Sequence, residues 1–140
     1  MEPNNLQRFL DAQVTSYKTA LKEIKDGIKK SHWMWYIFPQ FEGLGFSEIS
    51  KKYAIKTKEE AIAYVKHPIL GKRLVEISGI LLNHSNKTAY EIFDWPDDAK
   101  LRSCMTLFTL IQKENDIFQQ VLNMYFEGKI CWKTKKLINS

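Results

Sequence analysis

The segment with the clearest capacity for chemistry begins at His32 and runs on as Trp33, Met34, Trp35, Tyr36, Ile37, Phe38, Pro39, Gln40 and Phe41. Five of the chain's 18 aromatic residues fall between positions 33 and 41. An imidazole exchanges protons near neutral pH. Indole and phenol rings stack a planar ligand, and the amide of Gln40 can fix its orientation. Gly43 and Gly45 follow directly, which allows a tight turn or a backbone open to a ligand. The same residues also read as a core plug between helices, with His32 hydrogen-bonded at its edge, because aromatic clusters are most often packing. The polarity of His32 and Gln40 beside the rings favours a site.

Other candidates stand further along the chain. His67, just before Pro68, reads as a helix cap, and joins the site if the fold brings it to His32. His84, between Asn83 and Ser85, reads as a favourable cation at the end of its own helix. Three histidines without fixed spacing make no metal signature. Arg102, Ser103 and Thr106 share one helix face, where they can cradle an anion. Alternatively Arg102 forms an interhelical salt bridge and the two hydroxyls bond to the preceding turn. Asp94, Asp97 and Asp98 invite a paired-carboxylate reading, but their place at a helix start explains them as capping residues. Gly43-Leu44-Gly45 is only a G-x-G without a preceding strand. No Walker loop, dinucleotide fingerprint, nucleophile elbow or H-E-x-x-H occurs.

The elements that must position these residues read as helices. Leu6, Phe9, Leu10, Val14, Tyr17, Leu21, Ile24 and Ile28 recur in steps of three and four, which predicts an amphipathic helix on the outside, stopped near Gly27. Residues 33–38 could pair as a short buried strand, but no second convincing strand exists, so a short helix or irregular segment is favoured. Ser47 to Tyr53 reads as another short helix. Thr57-Lys58-Glu59-Glu60 and Thr88-Ala89-Tyr90-Glu91 both have capping-box spacing. Between them Pro68 opens a helix carrying Leu70, Leu74, Ile77 and Leu81, whose Gly71 and Gly79 permit close contact with a neighbour. Pro96 to Lys113 is apolar on most of its circumference, which predicts a central helix. Asn115 caps a further helix that stops near Gly128, and a last short helix runs from Trp132 to Ile138. Five substantial helices and two or three short ones give an all-α fold.

At 140 residues, with 44% hydrophobic residues, the chain suits a single domain, 1–140, with a real core. It contains no apolar run of the ~20 residues a membrane helix needs. Met1 to Asn5 lack the basic and apolar regions of a secretory signal. Cys104 and Cys131 form no C-x-x-C or paired framework, and Cys104 reads as core packing, so a cytoplasmic location is expected. The net charge is +5, carried by 18 lysines and three arginines. Base readout and bidentate phosphate recognition favour arginine, and acidic residues punctuate the lysine groups, so nucleic-acid binding is disfavoured.

The string Ser31 to Gln40 with Gly43-Leu44-Gly45 resembles the bacterial domain-of-unknown-function family numbered 1810. Further motifs carry the same resemblance: Tyr53-Ala54-Ile55, Glu60-Ala61, Tyr64, His67-Pro68-Ile69-Leu70-Gly71-Lys72-Arg73-Leu74 and Lys100 to Phe108. It spans Leu6-Gln7-Arg8-Phe9 to Tyr125-Phe126. Members sometimes carry the label calpastatin, a term for long disordered repeat inhibitors, whereas this composition builds a compact core. The resemblance implies a mainly helical fold and brings no reaction, cofactor or catalytic residue with it.

Two function classes follow. One is a cytoplasmic ligand-binding or enzymatic domain that takes a small planar or anionic ligand. Its site comprises His32 as the best catalytic candidate, with Trp33, Trp35, Gln40, Gly43, Gly45, His67, Arg102 and Ser103 for binding. The other is a non-catalytic interaction or structural module whose aromatic segment packs internally or against another protein. A third, weak nucleic-acid binding, requires the lysine groups to share one face. The sequence carries no signal for a cofactor or an oligomeric state.

Overall fold

Helix α1 (Gln7–Asp26) ends where Gly27 turns left-handed at φ 78°, and the Gly27 N–H donates to the last-turn carbonyls of Glu23 and Ile24. Its buried face is centred on Phe9, Gln13, Ala20, Glu23 and Ile24. Val14, counted in the apolar stripe, is 77% exposed instead. The face is turned because two polar residues find partners inside. Gln13 Nε2 donates to the Tyr36 carbonyl at 2.8 Å and to the Tyr64 hydroxyl at 3.1 Å.

The computed structural model describes residues 5–140; residues 1–4, where the absence of a secretory signal was read, lie outside them. After α1 come α2 (Met34–Ile37), α3 (Glu48–Tyr53), α4 (Lys58–Lys66), α5 (Leu70–Leu81), α6 (Ala89–Phe93), α7 (Asp97–Ile111), α8 (Ile117–Phe126) and α9 (Trp132–Ile138). The fold is all-α, as expected from the periodicity. Residues 33–38 hold the short helix α2 and not a strand. The nearest approach to a sheet among the described residues is an isolated parallel bridge between Phe41 and Ile55.

Local signals set most helix starts. Thr57 Oγ1 accepts from the Glu60 N–H at 3.0 Å, and Thr88 and Glu91 complete a reciprocal capping box. His67 Nδ1 accepts from the N–H groups of Ile69 and Leu70, so this histidine caps α5. His84 departs from expectation. Its Nε2 lies 2.7 Å from the Ile24 carbonyl, so it serves the C-terminal end of α1, not that of α5.

Helix α7 is central: Leu101, Cys104, Met105, Leu107 and Phe108 are all fully buried, and α4, α6, α8 and α9 pack around it. Helices α4 and α5 meet at Gly71, where an added Cβ would fall 2.0 Å from the Val65 carbonyl oxygen. Gly79 differs, because a Cβ there would meet only Ile117 Cδ1 at 3.7 Å, an ordinary contact. Among the described residues, no helix is long and apolar enough to cross a membrane.

Candidate functional site

A cleft of about 230 Å³ opens where the segment after α1 crosses the start of α7, lined by Lys29, His32, Trp35, Tyr36, Asp97 and Lys100 with Trp33, Met34 and Ile49. Its position follows from one carboxylate. Glu23, near the end of α1, accepts from Lys30 N–H at 2.8 Å, Ser31 N–H at 2.9 Å, Ser31 Oγ at 2.5 Å and Trp33 Nε1 at 2.9 Å. Burial pushes the Glu23 carboxyl up, but these donors outweigh it and hold the group at about 2. Glu23 thereby ties down the whole turn that presents His32. Sequence reading missed it, since a glutamate between Lys22 and Ile24 looks like any solvated helix position.

The cationic wall comes from two distant segments. Asp97 pairs with Lys29 at 2.8 Å and with Lys100 at 3.0 Å. Burial pushes the Asp97 carboxyl up, and the two lysines more than reverse it, leaving it below its ordinary range. The helix-start reading of the aspartates is therefore corrected for Asp97, whose carboxylate is an ion-pair hub. Asp94 does not cap α7 either, because its own φ is 62° at the end of α6 and its carboxylate accepts from the adjacent Trp95 N–H at 2.8 Å. The Lys29 ammonium also donates to the Ser31 carbonyl at 2.6 Å and lies 5.0 Å from the Trp33 ring centre. The Lys100 ammonium lies 4.3 Å from the Trp35 ring centre, within cation–π range. Two ammonium groups share one carboxylate, so the cleft keeps an excess of positive charge.

The predicted residues divide between this cleft and the scaffold. His32 is exposed at the cleft, and its ring has no hydrogen-bond partner among the described residues. Trp35 is half-buried and lines the same space. Trp33 borders it but is 1% exposed, its indole N–H committed to Glu23. Gln40 is buried, and Nε2 donates to the carbonyls of Phe38 at 3.0 Å and Lys100 at 2.7 Å, which fastens the aromatic segment to α7. Gly45 backs the cleft, because a Cβ there would sit 2.7 Å from Trp35 Cη2. Gly43 lies elsewhere, in a larger groove of about 690 Å³ that also includes Glu42, Lys56, Lys58 and Leu137.

His67 is held at the start of α5 and is not among the residues lining the His32 cleft. Arg102 and Ser103 also work apart from it. Arg102 donates to the Lys129 and Ile130 carbonyls at 2.9 Å each, so its partners are carbonyls and not the acidic residue of a salt bridge. Ser103 and Thr106 donate back to the carbonyls of Ala99 and Arg102, the preceding-turn pattern. Lys29, Tyr36, Asp97 and Lys100 line the cleft, and sequence reading assigned none of them to the site. Asp97 and Lys100 lie one turn apart on α7, but Lys29 meets Asp97 only across 68 residues of chain (97 − 29 = 68), which no local pattern marks.

Comparison with known proteins adds fold and family. No curated protein matches the chain. A conserved hypothetical protein of Mycobacterium tuberculosis, Rv1873, has a crystal structure that superposes with a TM-score of 0.97 at 40% identity, covering 99% of each chain. The family model described as a protein of unknown function, DUF1810, matches residues 3–138. With that match running over nearly the whole sequence, the chain belongs to the DUF1810 family.

Proposed function

We propose that this protein binds a small planar anion in the cleft between His32, Trp35 and Lys100. The observation that carries this reading is the pairing of Lys29 and Lys100 with the single carboxylate of Asp97, beside the ring of Trp35. An anionic group entering the cleft gains from the uncompensated ammonium charge, and a flat ring gains contact with Trp35 and Tyr36. The volume of about 230 Å³ lies below the roughly 300–1,000 Å³ of drug-sized sites, which suits a single-ring molecule. His32 at the rim is the group through which binding would pass into acid–base chemistry on a titratable ligand. A cytoplasmic location belongs to the same reading, supported by Cys104 and Cys131 both being free thiols.

A thermal-shift screen of single-ring carboxylates and phosphates tests it. A ligand at 100 times its dissociation constant adds about 2.7 kcal/mol to a fold that alone binds it, which moves the melting temperature by several degrees. Lys100→Met should remove the shift, and His32→Ala should weaken it. Full ligand response in the Lys100→Met protein, or no response to any planar anion, would overturn the reading.

A further inference from the structure

Outward from the cleft, packing leaves further rings open to solvent. The Trp35 ring lies against the backbone of Gly45, where an added Cβ would sit 2.7 Å from Cη2. The next residue, Phe46, is 80% exposed. Phe46 precedes Ser47, which caps α3 by accepting from the Ser50 N–H at 3.2 Å. An apolar residue at that place ordinarily packs on the fourth residue of the helix. Here the fourth residue is Lys51, so α3 offers the Phe46 ring no apolar partner there. Ile49, in the first turn of α3, lines the cleft and is itself exposed. Lysines accompany the rings. The Lys133 ammonium lies 5.9 Å from the Phe46 ring centre, as that of Lys100 lies 4.3 Å from Trp35. Trp132, next to Lys133, is 64% exposed, and the Lys135 ammonium lies 4.8 Å from its ring centre. Arg102 holds the start of α9 beside α7 through the carbonyls of Lys129 and Ile130. Among the described residues, neither Lys133 nor Lys135 pairs with a carboxylate.

We propose that the molecule held in the cleft is the end of a single-stranded nucleic acid. A pyrimidine ring lies beside Trp35 with its phosphate at Lys29 and Lys100, the neighbouring base stacks on Phe46, and the phosphate between them meets Lys133. The inference rests on the cleft binding a small planar anion. A flat ring with an ammonium beside it recurs at Trp35, Phe46 and Trp132. Alternating flat and anionic groups are what a nucleic-acid strand presents to such a row. The cleft of about 230 Å³ suits one ring, which selects a pyrimidine over a purine at that end. Stacking on aromatic side chains tolerates any base and needs no bidentate arginine, so the scarcity of arginine that disfavours base readout has no bearing on it. A duplex keeps its base faces inside, so Phe46 can stack only on a single strand. Lys29, Lys100 and Lys133 come from three remote segments, and only the fold brings them to this row.

Calorimetric titration at low salt with thymidine monophosphate, a thymidine dinucleotide carrying a terminal phosphate, and hexathymidylate tests it. The dinucleotide should bind about 5- to 100-fold more tightly than the monophosphate, the increment of one stacked base. Phe46→Ala should remove most of that increment and leave monophosphate binding unchanged, and its melting temperature should match the parent's because the ring is exposed. Lys133→Met should flatten the salt dependence of hexathymidylate binding, lowering the slope of log affinity against log salt by about 0.7. Lys100→Met should weaken all three ligands. Monophosphate binding without gain from the second base, an unchanged increment in Phe46→Ala, or an unmoved slope in Lys133→Met overturns the strand proposal and leaves the planar-anion reading standing. Failure of every single-ring anion, the monophosphate included, removes that reading and the strand with it. Binding to phosphatidylserine vesicles in place of hexathymidylate would assign the exposed rings to a membrane surface and overturn the proposal.

Discussion

Trp33 and Trp35 are two positions apart and do different work. Trp33 is enclosed, with its N–H on Glu23, whereas Trp35 faces the cleft and meets Lys100. Trp33→Ala should therefore cost about 3–5 kcal/mol in urea unfolding, and Trp35→Ala roughly 1–3 kcal/mol. His32→Ala should leave stability within about 0.5 kcal/mol of the parent, because an exposed ring without partners contributes little. A His32 variant as unstable as the Trp33 variant would mean that the imidazole is a packing group, and the site reading would lose its rim residue. The aromatic string was legible as important, but its division into wall and core was not. Residue type alone does not say which indole meets a carboxylate held ten positions earlier on another element.

Helix boundaries were read well where their cause is local. Thr57, Thr88 and Asn115 act within three residues of themselves, so their capping shows in the sequence. The Thr57 box was only half legible. Its Glu60 carboxylate bonds Lys56 N–H at 2.8 Å and pairs with Arg8 at 3.1 Å, a partner 52 residues away. The two glycines of α5 make the same point at the scale of packing. Gly71→Ala would drive a Cβ into the Val65 carbonyl, and that backbone has no free end to yield. It should destabilise by roughly 1–3 kcal/mol or more as α4 and α5 separate. Gly79→Ala has room, so it should stabilise by up to about 1 kcal/mol through helix propensity alone. Chemical denaturation of both variants checks the pair, and equal losses would contradict this account of the α4–α5 crossing.

The whole molecule should register its site anchor as acid sensitivity. Glu23 titrates at about 2 in the fold against an ordinary 4.5. The folded state thus binds a proton to Glu23 less readily than the unfolded chain does. Its contribution is complete above pH 4.5 and is lost as pH falls toward 2. At 1.36 kcal/mol per unit, the loss is on the order of 3 kcal/mol. Asp97 adds to the same trend, since Lys29 and Lys100 hold it low as well. Glu23→Gln keeps the shape of the side chain but places an amide among donors, including both Ser31 groups and the Trp33 indole N–H. The variant should be less stable than the parent by a similar amount at pH 7. The gap should narrow as the pH is lowered from 5 to 2.5, because protonation then removes the same charge from the parent. Urea midpoints across that range, with the ligand response of Lys100→Met as an independent readout, separate anchoring from binding. A gap that stays constant with pH would show that the Glu23 charge does not hold the turn, and the position of His32 would then need another cause.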